Sequence, residues 1–349
     1  MRVRLGVRVG LRPLGENASI AGYPKIELHV HLEATVYPTA LLRIARRNGV
    51  ELPARTPEAL AELFRFRDFA HFVQVWIRTT CAFRRHADFR EIVVAYAAEA
   101  ARHGCVYIEG IFSPAEPVRR GTTWDEVFEG YCDGAAEACE RHGVEVRLTP
   151  DITRGFTLEE AEQVARMAVR FRDRGIVGLG LGGLEAQYPP ELYERAFALA
   201  RAGGVPGVPH AGEMAGPESV RGALDVLHAH RLRHGIRAVE DGGLVRELVA
   251  RGTVLDVCPF SNLRTGVVAR LVDHPLPRLV AAGVQCSLST DDPVLFDTDL
   301  TREHAVARSL GVAPRAVYDA GVAGALCDEP TRERLRSIGA RHLWDDGAA

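Results

Sequence analysis

From Ile92 to Ser289 the chain repeats one unit: a helical stretch, a glycine-marked stop, then a short apolar run. Val93–Ala101 reads as an alanine-rich helix, stopped at Arg102-His103-Gly104 before the strand-like Cys105–Phe112. The pattern returns with Trp124–Glu140 before Val144–Leu148, Leu158–Arg172 before Ile176–Leu181, and Pro190–Arg201 before Val205–His210. It closes with Leu244–Arg251 before Thr253–Cys258 and Leu276–Ala282 before Val284–Ser289. Adding the apolar alternation within Pro24–Glu33 and a strand near Arg231–His234 gives eight strands alternating with helices. Alternation of this kind requires a parallel sheet, and eight units predict an α/β fold of the (β/α)8 TIM-barrel type. A doubly wound sheet is the alternative.

A barrel concentrates its chemistry where strands end. The first strand ends in His29 and His31, and residues two apart on a strand face the same side. With 13 histidines in 349 residues, one His-x-His is expected by chance roughly half a time, so the triplet carries little alone. A second copy, His228-Ala229-His230, follows a helical pattern, where the same spacing sends the rings apart. The position of the first copy is what matters: His210 ends the fifth strand, His234 the sixth, and Asp291-Asp292 follow the eighth. Imidazole is the commonest protein metal ligand, and the set has the composition of a zinc site. Arg-His-Gly recurs at 102–104, 141–143 and 233–235, so His234 also has a reading as a helix stop.

Between the first and second strands lie some forty residues with Leu63, Phe66, Phe69, Phe72, Val73 and Trp76 at helical spacing. That is too long for an ordinary connection and predicts a helical cap at about 50–90 over the mouth of a single domain spanning 21–349. Residues 1–20 read as a disordered tail or a misassigned start. Net charge is −3 and the pI near 6.5, which leaves no basic field for nucleic acid. No apolar run is long enough to span a bilayer. Seven cysteines without a Cys-x-x-Cys argue against disulfides and for a cytoplasmic location. Lys25 is the only lysine and precedes the first strand, so a carboxylated lysine bridging two metals deep in a barrel is not expected; one metal is.

Four motifs in order, Pro24–Glu33 (PKIELHVHLE), His210–Glu213 (HAGE), Arg231–Gly235 (RLRHG) and Leu288–Pro293 (LSTDDP), resemble those of the adenosine deaminase family of zinc-dependent purine deaminases, over 24–310. The resemblance implies one Zn2+ per chain held by His29, His31, His210 and Asp291, with His31 also facing the substrate. It implies Glu213 as the proton donor, His234 beside the attacking water, Asp291 as proton acceptor, and Asp292 and Gly183 on the purine. Glu33 is expected on a ribose hydroxyl. The chemistry asks for such groups independently, since an aromatic C6 resists addition until the water is activated and the ring nitrogen is protonated.

Departures bear on the substrate. Ala34 and Arg233 stand where the family has glycine, and Gly180 where it commonly has aspartate. Phe66–Phe72 (FRDFAHF) and Gly180–Gly183 are similar to a bacterial branch that includes 6-aminodeoxyfutalosine deaminases, although Leu32-Glu33 replaces the further histidine of that branch. The Asp-Ser-Ser-Glu signature of related adenine deaminases is missing. The expected reaction is hydrolysis of a 6-aminopurine nucleoside, adenosine first, with aminodeoxyfutalosine or adenine as alternatives. A purine-binding barrel without turnover is the reading from another class that Ala34 and Arg233 raise.

Overall fold

The computed structural model describes residues 22–345; the expected N-terminal tail lies outside them. Eight parallel strands run in chain order: β1 (Lys25–His31), β2 (Cys105–Phe112), β3 (Glu145–Thr153), β4 (Gly180–Gly182), β5 (His210–Ala211), β6 (Leu232–His234), β7 (Val254–Val257) and β8 (Gln285–Leu288). They form two four-stranded ladders, β1-β2-β3-β4 and β5-β6-β7-β8. Single bridges close both seams. Leu179 exchanges hydrogen bonds with Pro206 and Val208 between the β4 and β5 segments, and His29 and His31 exchange them with Asp291 between β1 and β8. The second seam therefore joins two of the expected site segments directly.

Side-chain alternation fixes which residues look inward. On β1, Ile26 and Leu28 pack with Tyr107, Tyr318 and Val322. A register shift against β2 between Glu27 and Val30 breaks the simple alternation, so that His29 and His31 converge at the barrel mouth while Glu27 accepts from the Tyr96 hydroxyl (2.5 Å). The interior is charged where such barrels usually carry branched aliphatics. Arg231 donates to Glu109 (2.7 Å) and Asp256 (2.6 Å), and Arg233 pairs with Asp151 and donates to Thr149 (2.6 Å). All of these residues are buried.

Between β1 and β2 the chain inserts helices Pro57–Glu62 and Phe69–Thr80 ahead of the long helix His86–Arg102. Asp68 caps the second by accepting from the His71 N–H, the expected role of a short carboxylate at a helix start. Further on, helix Pro217–Asp225 ends before His228, which sits at φ +52. His228 and His230 are exposed on that turn, away from the site. Lys25 donates to the carbonyls of Tyr23 and His103 at the opposite end of β1 from His31.

Candidate active site

The ends of β1, β5, β6 and β8 bring their polar side chains to one point. His29 Nε2 lies 3.1 Å and His31 Nε2 3.3 Å from Asp291 Oδ1, and His31 Nε2 lies 3.2 Å from His210 Nε2. His234 Nε2 is 3.6 Å from both Asp291 Oδ2 and Glu213 Oε2. Ligand atoms of His29, His210, His234 and Asp291 all fall within 4.8 Å of one another, as do those of His31, Asp291 and Asp292.

Two of these buried atoms, His29 Nε2 and Asp291 Oδ1, have no hydrogen-bond partner. A buried acceptor without a donor is costly, and a cation between them removes that cost. The outer partners agree. His210 Nδ1 is 2.9 Å from the Leu181 carbonyl; a carbonyl only accepts, so the proton is on Nδ1 and the Nε2 lone pair faces the cluster. The serine hydroxyl of Ser261 donates to Asp291 Oδ2 (2.6 Å), leaving Oδ1 for the ion. Three imidazoles and a carboxylate fit zinc chemically.

Backbone strain marks the same place. Among the described residues four non-glycines have positive φ, and two of them are His234 (+59) and Asp291 (+64). Such conformations cost of order 1–3 kcal/mol and gather at functional sites. The third Arg-His-Gly thus differs from its namesakes: Gly104 and Gly143 follow helices, whereas Gly235 (φ +68) follows β6 and lets the chain turn with His234 aimed inward.

Burial sets the protonation states. His29 is pushed down to about 3 by burial against the pull of Asp291, and His234 to about 4 for the same reason. Glu213 is raised well above the usual carboxylate range by burial, then by Asp291 and Glu185; Asp292 is raised likewise by burial and Asp291. Burial would raise Asp291 too, but His29 beside it outweighs that and holds it well below. Adjacent carboxylates are thereby split into one anion and two acids.

These groups line a cavity of about 320 Å3. His31, His210, Glu213, His234, Asp291, Asp292 and Gly183 (φ +103) are on its wall. Opposite them stand Phe69, Phe72 and Trp76 of the inserted helix, with Phe156 and Phe296. Glu33 is not brought to this wall. Its carboxylate accepts from the Ser113 N–H (2.7 Å) and faces a smaller cavity behind Trp76.

Sequence reasoning passed over the groups that hold these side chains. Glu185 accepts from four successive peptide N–H groups, Gly212 (2.6 Å), Glu213 (3.1 Å), Met214 (2.7 Å) and Ala215 (3.0 Å), and from Ser219 Oγ (2.5 Å), so it pins the loop that carries Glu213. Glu27 accepts from Thr290 N–H (3.1 Å) and Oγ (2.6 Å) next to Asp291. The Arg233 departure also has an explanation. A Cβ at Gly180 would meet Asp151 Oδ1 at 1.9 Å and the Arg233 guanidinium at 2.2 Å. Arg233 therefore needs glycine at 180, and the two departures are halves of one arrangement. An inward charge on a strand facing an interior glycine was the signal available.

Known proteins resemble this chain over most of its length. The adenosine deaminase family model matches residues 24–338. An aminodeoxyfutalosine deaminase of Acidothermus cellulolyticus is 52% identical over 333 residues, covering 93% of this chain and 94% of its own. An adenine deaminase of Streptomyces coelicolor is 38% identical over 273 residues, covering 78% and 80%. Among solved structures, the adenine deaminase from Arthrobacter aurescens superposes with a TM-score of 0.86 at 30% identity, over 91% of this chain and 98% of that one. A Burkholderia ambifaria amidohydrolase solved with bound Zn gives 0.87 at 26% identity, over 95% and 94%.

Proposed function

This chain belongs to the adenosine deaminase family, and from that premise we propose that its cavity hydrolyses the 6-amino group of aminodeoxyfutalosine, with zinc held by His29, His31, His210 and Asp291. Membership makes the protein a hydrolytic deaminase of a 6-aminopurine compound; the reading without turnover is thereby set aside. What supports aminodeoxyfutalosine ahead of adenosine, reversing the order expected from sequence, is the 52% identity to a deaminase of that name over nearly both whole chains. The observation that carries the reaction type is the meeting of His29, His31, His210 and Asp291 beside Glu213 at one end of the barrel.

A zinc ion there supplies the Lewis acidity that makes water nucleophilic near neutral pH. The remaining steps belong to side chains. Glu213, kept protonated by burial and by Asp291, gives its proton to ring N1 as the water oxygen adds to C6. Charge does not then build on the ring. Asp291, the carboxylate that stays ionised, takes the proton the water loses. His234 holds the attacking oxygen by a hydrogen bond, and Asp292, kept protonated, donates to N7. Asp291 then gives its proton to the 6-amino nitrogen, the C6–N bond breaks as the C6 hydroxyl returns a proton to Glu213, and ammonia and the 6-oxo product leave with both side chains restored.

The test is a panel of aminodeoxyfutalosine, adenosine and adenine, scored by ammonia release and the ultraviolet shift against measured zinc content. The expected result is a kcat/KM for aminodeoxyfutalosine at least tenfold above the other two. Adenine as the best substrate would overturn the choice of substrate while leaving the reaction type standing.

A further inference from the structure

Tautomers can be read along a buried chain of hydrogen bonds that starts outside the site. The Leu276 peptide N–H is 3.0 Å from His274 Nδ1. A peptide nitrogen only donates, so His274 Nδ1 is an acceptor and the proton of the neutral ring is on Nε2. That Nε2 lies 3.1 Å from Asn262 Oδ1, which turns the amide NH2 of Asn262 toward His234 Nδ1, 3.3 Å away. An amide NH2 also only donates. His234 Nδ1 is therefore an acceptor, and its ring proton is on Nε2, the atom facing Glu213 and Asp291.

We propose that Asn262 and His274 are positioning residues that fix His234 as the Nε2–H tautomer, making it a hydrogen-bond donor to the attacking oxygen and not a fourth imidazole ligand. Geometry alone leaves the choice open, because His234 falls inside the same 4.8 Å group as His29 and His210. The outer partners decide it: His210 Nδ1 meets a carbonyl and so presents a lone pair inward, whereas His234 Nδ1 meets an N–H donor and so presents a proton. Asn262, His234 and His274 are all at most 3% exposed, so bulk water does not compete for the relay. Burial also keeps His274 neutral, its pKa pushed down to about 4.

The tautomer is independent of the deaminase reading; only its kinetic consequence rests on that reading. The experiment is proton–nitrogen correlation on zinc-loaded protein carrying 15N-histidine at pH 7.5, with His234 assigned against His234→Gln. The expected spectrum has His234 Nε2 protonated and Nδ1 as a lone-pair nitrogen. In Asn262→Asp, whose carboxylate only accepts, Nδ1 becomes protonated and kcat falls at least 30-fold with KM within threefold. His274→Leu loses at least tenfold in kcat, and His274→Gln, whose amide can donate to the same oxygen, recovers at least half of that loss on a logarithmic scale. A wild-type His234 protonated on Nδ1, or Asn262→Asp with unchanged tautomer and kcat, overturns the proposal. Should Asn262→Asp not fold, the wild-type spectrum decides alone. Absence of turnover on every purine would count against the deaminase reading and leave the spectrum to judge the relay.

Discussion

Replacing Arg233 with methionine removes the guanidinium paired with Asp151, a carboxylate that is 2% exposed. Methionine fills much of the guanidinium's volume, so the effect is chiefly the loss of charge. Breaking a buried pair from one side costs about 3–5 kcal/mol, because the surviving charge stays buried without compensation. Unfolding entropy is about 2.1 cal/mol/K per residue, so for a chain of this length 1 kcal/mol corresponds to roughly 1.4 °C, and Arg233→Met should lower Tm by about 4–7 °C. The double variant Arg233→Met/Asp151→Asn removes the stranded charge and should regain at least half of that fall. Differential scanning calorimetry at pH 7.5 with zinc present reads both. A single variant melting within about 1 °C of wild type, on the same scale, would refute the claim that the pair neutralises the barrel interior; a double variant no more stable than the single would refute the stranded-charge explanation.

Other outcomes follow from the same geometry. Glu213→Gln keeps the shape and removes the transferable proton, so kcat should fall about 10²–10⁴-fold with zinc content unchanged; undiminished turnover would take Glu213 out of its role. Zinc present at about 1,000 times its Kd contributes about 4 kcal/mol to stability, so dialysis against a chelator should lower Tm by about 6 °C, and re-addition of zinc should restore it. The buried His274 bears on acid stability. Its folded pKa is depressed to about 4 while the unfolded ring titrates near 6.5, so the unfolded state binds the extra proton between those values. Stability from this group is present above pH 6.5 and is lost as pH falls, by about 2 kcal/mol at pH 5. Urea midpoints of metal-free wild type and His274→Gln at pH 7.5 and 5.0 should show the smaller loss in the variant.

Much of the molecule is local and was legible. Strand and helix periods follow from backbone geometry, so the eight-fold alternation and the placing of His29, His31, His210, His234 and Asp291 at strand ends can be read along the chain. The parallel ladders and closed seams agree with it, and all seven cysteines are free thiols. Glu33 could not be placed in this way, because two residues past the end of β1 its side chain is aimed by the turn that follows, here toward Ser113.

Sequence by itself determined the barrel and the residue types at its mouth, since these repeat at spacings that the backbone imposes. Only the tertiary structure decided which polar groups serve which. Arg233 finds Asp151 82 positions away across the interior, Glu185 grips the Glu213 loop, and Leu276 sets the proton of His234 through two side chains. The reason is physical: in a closed sheet the neighbours of an inward side chain come from other strands, and a buried donor or acceptor must find its partner there, at a distance in sequence that no local period encodes.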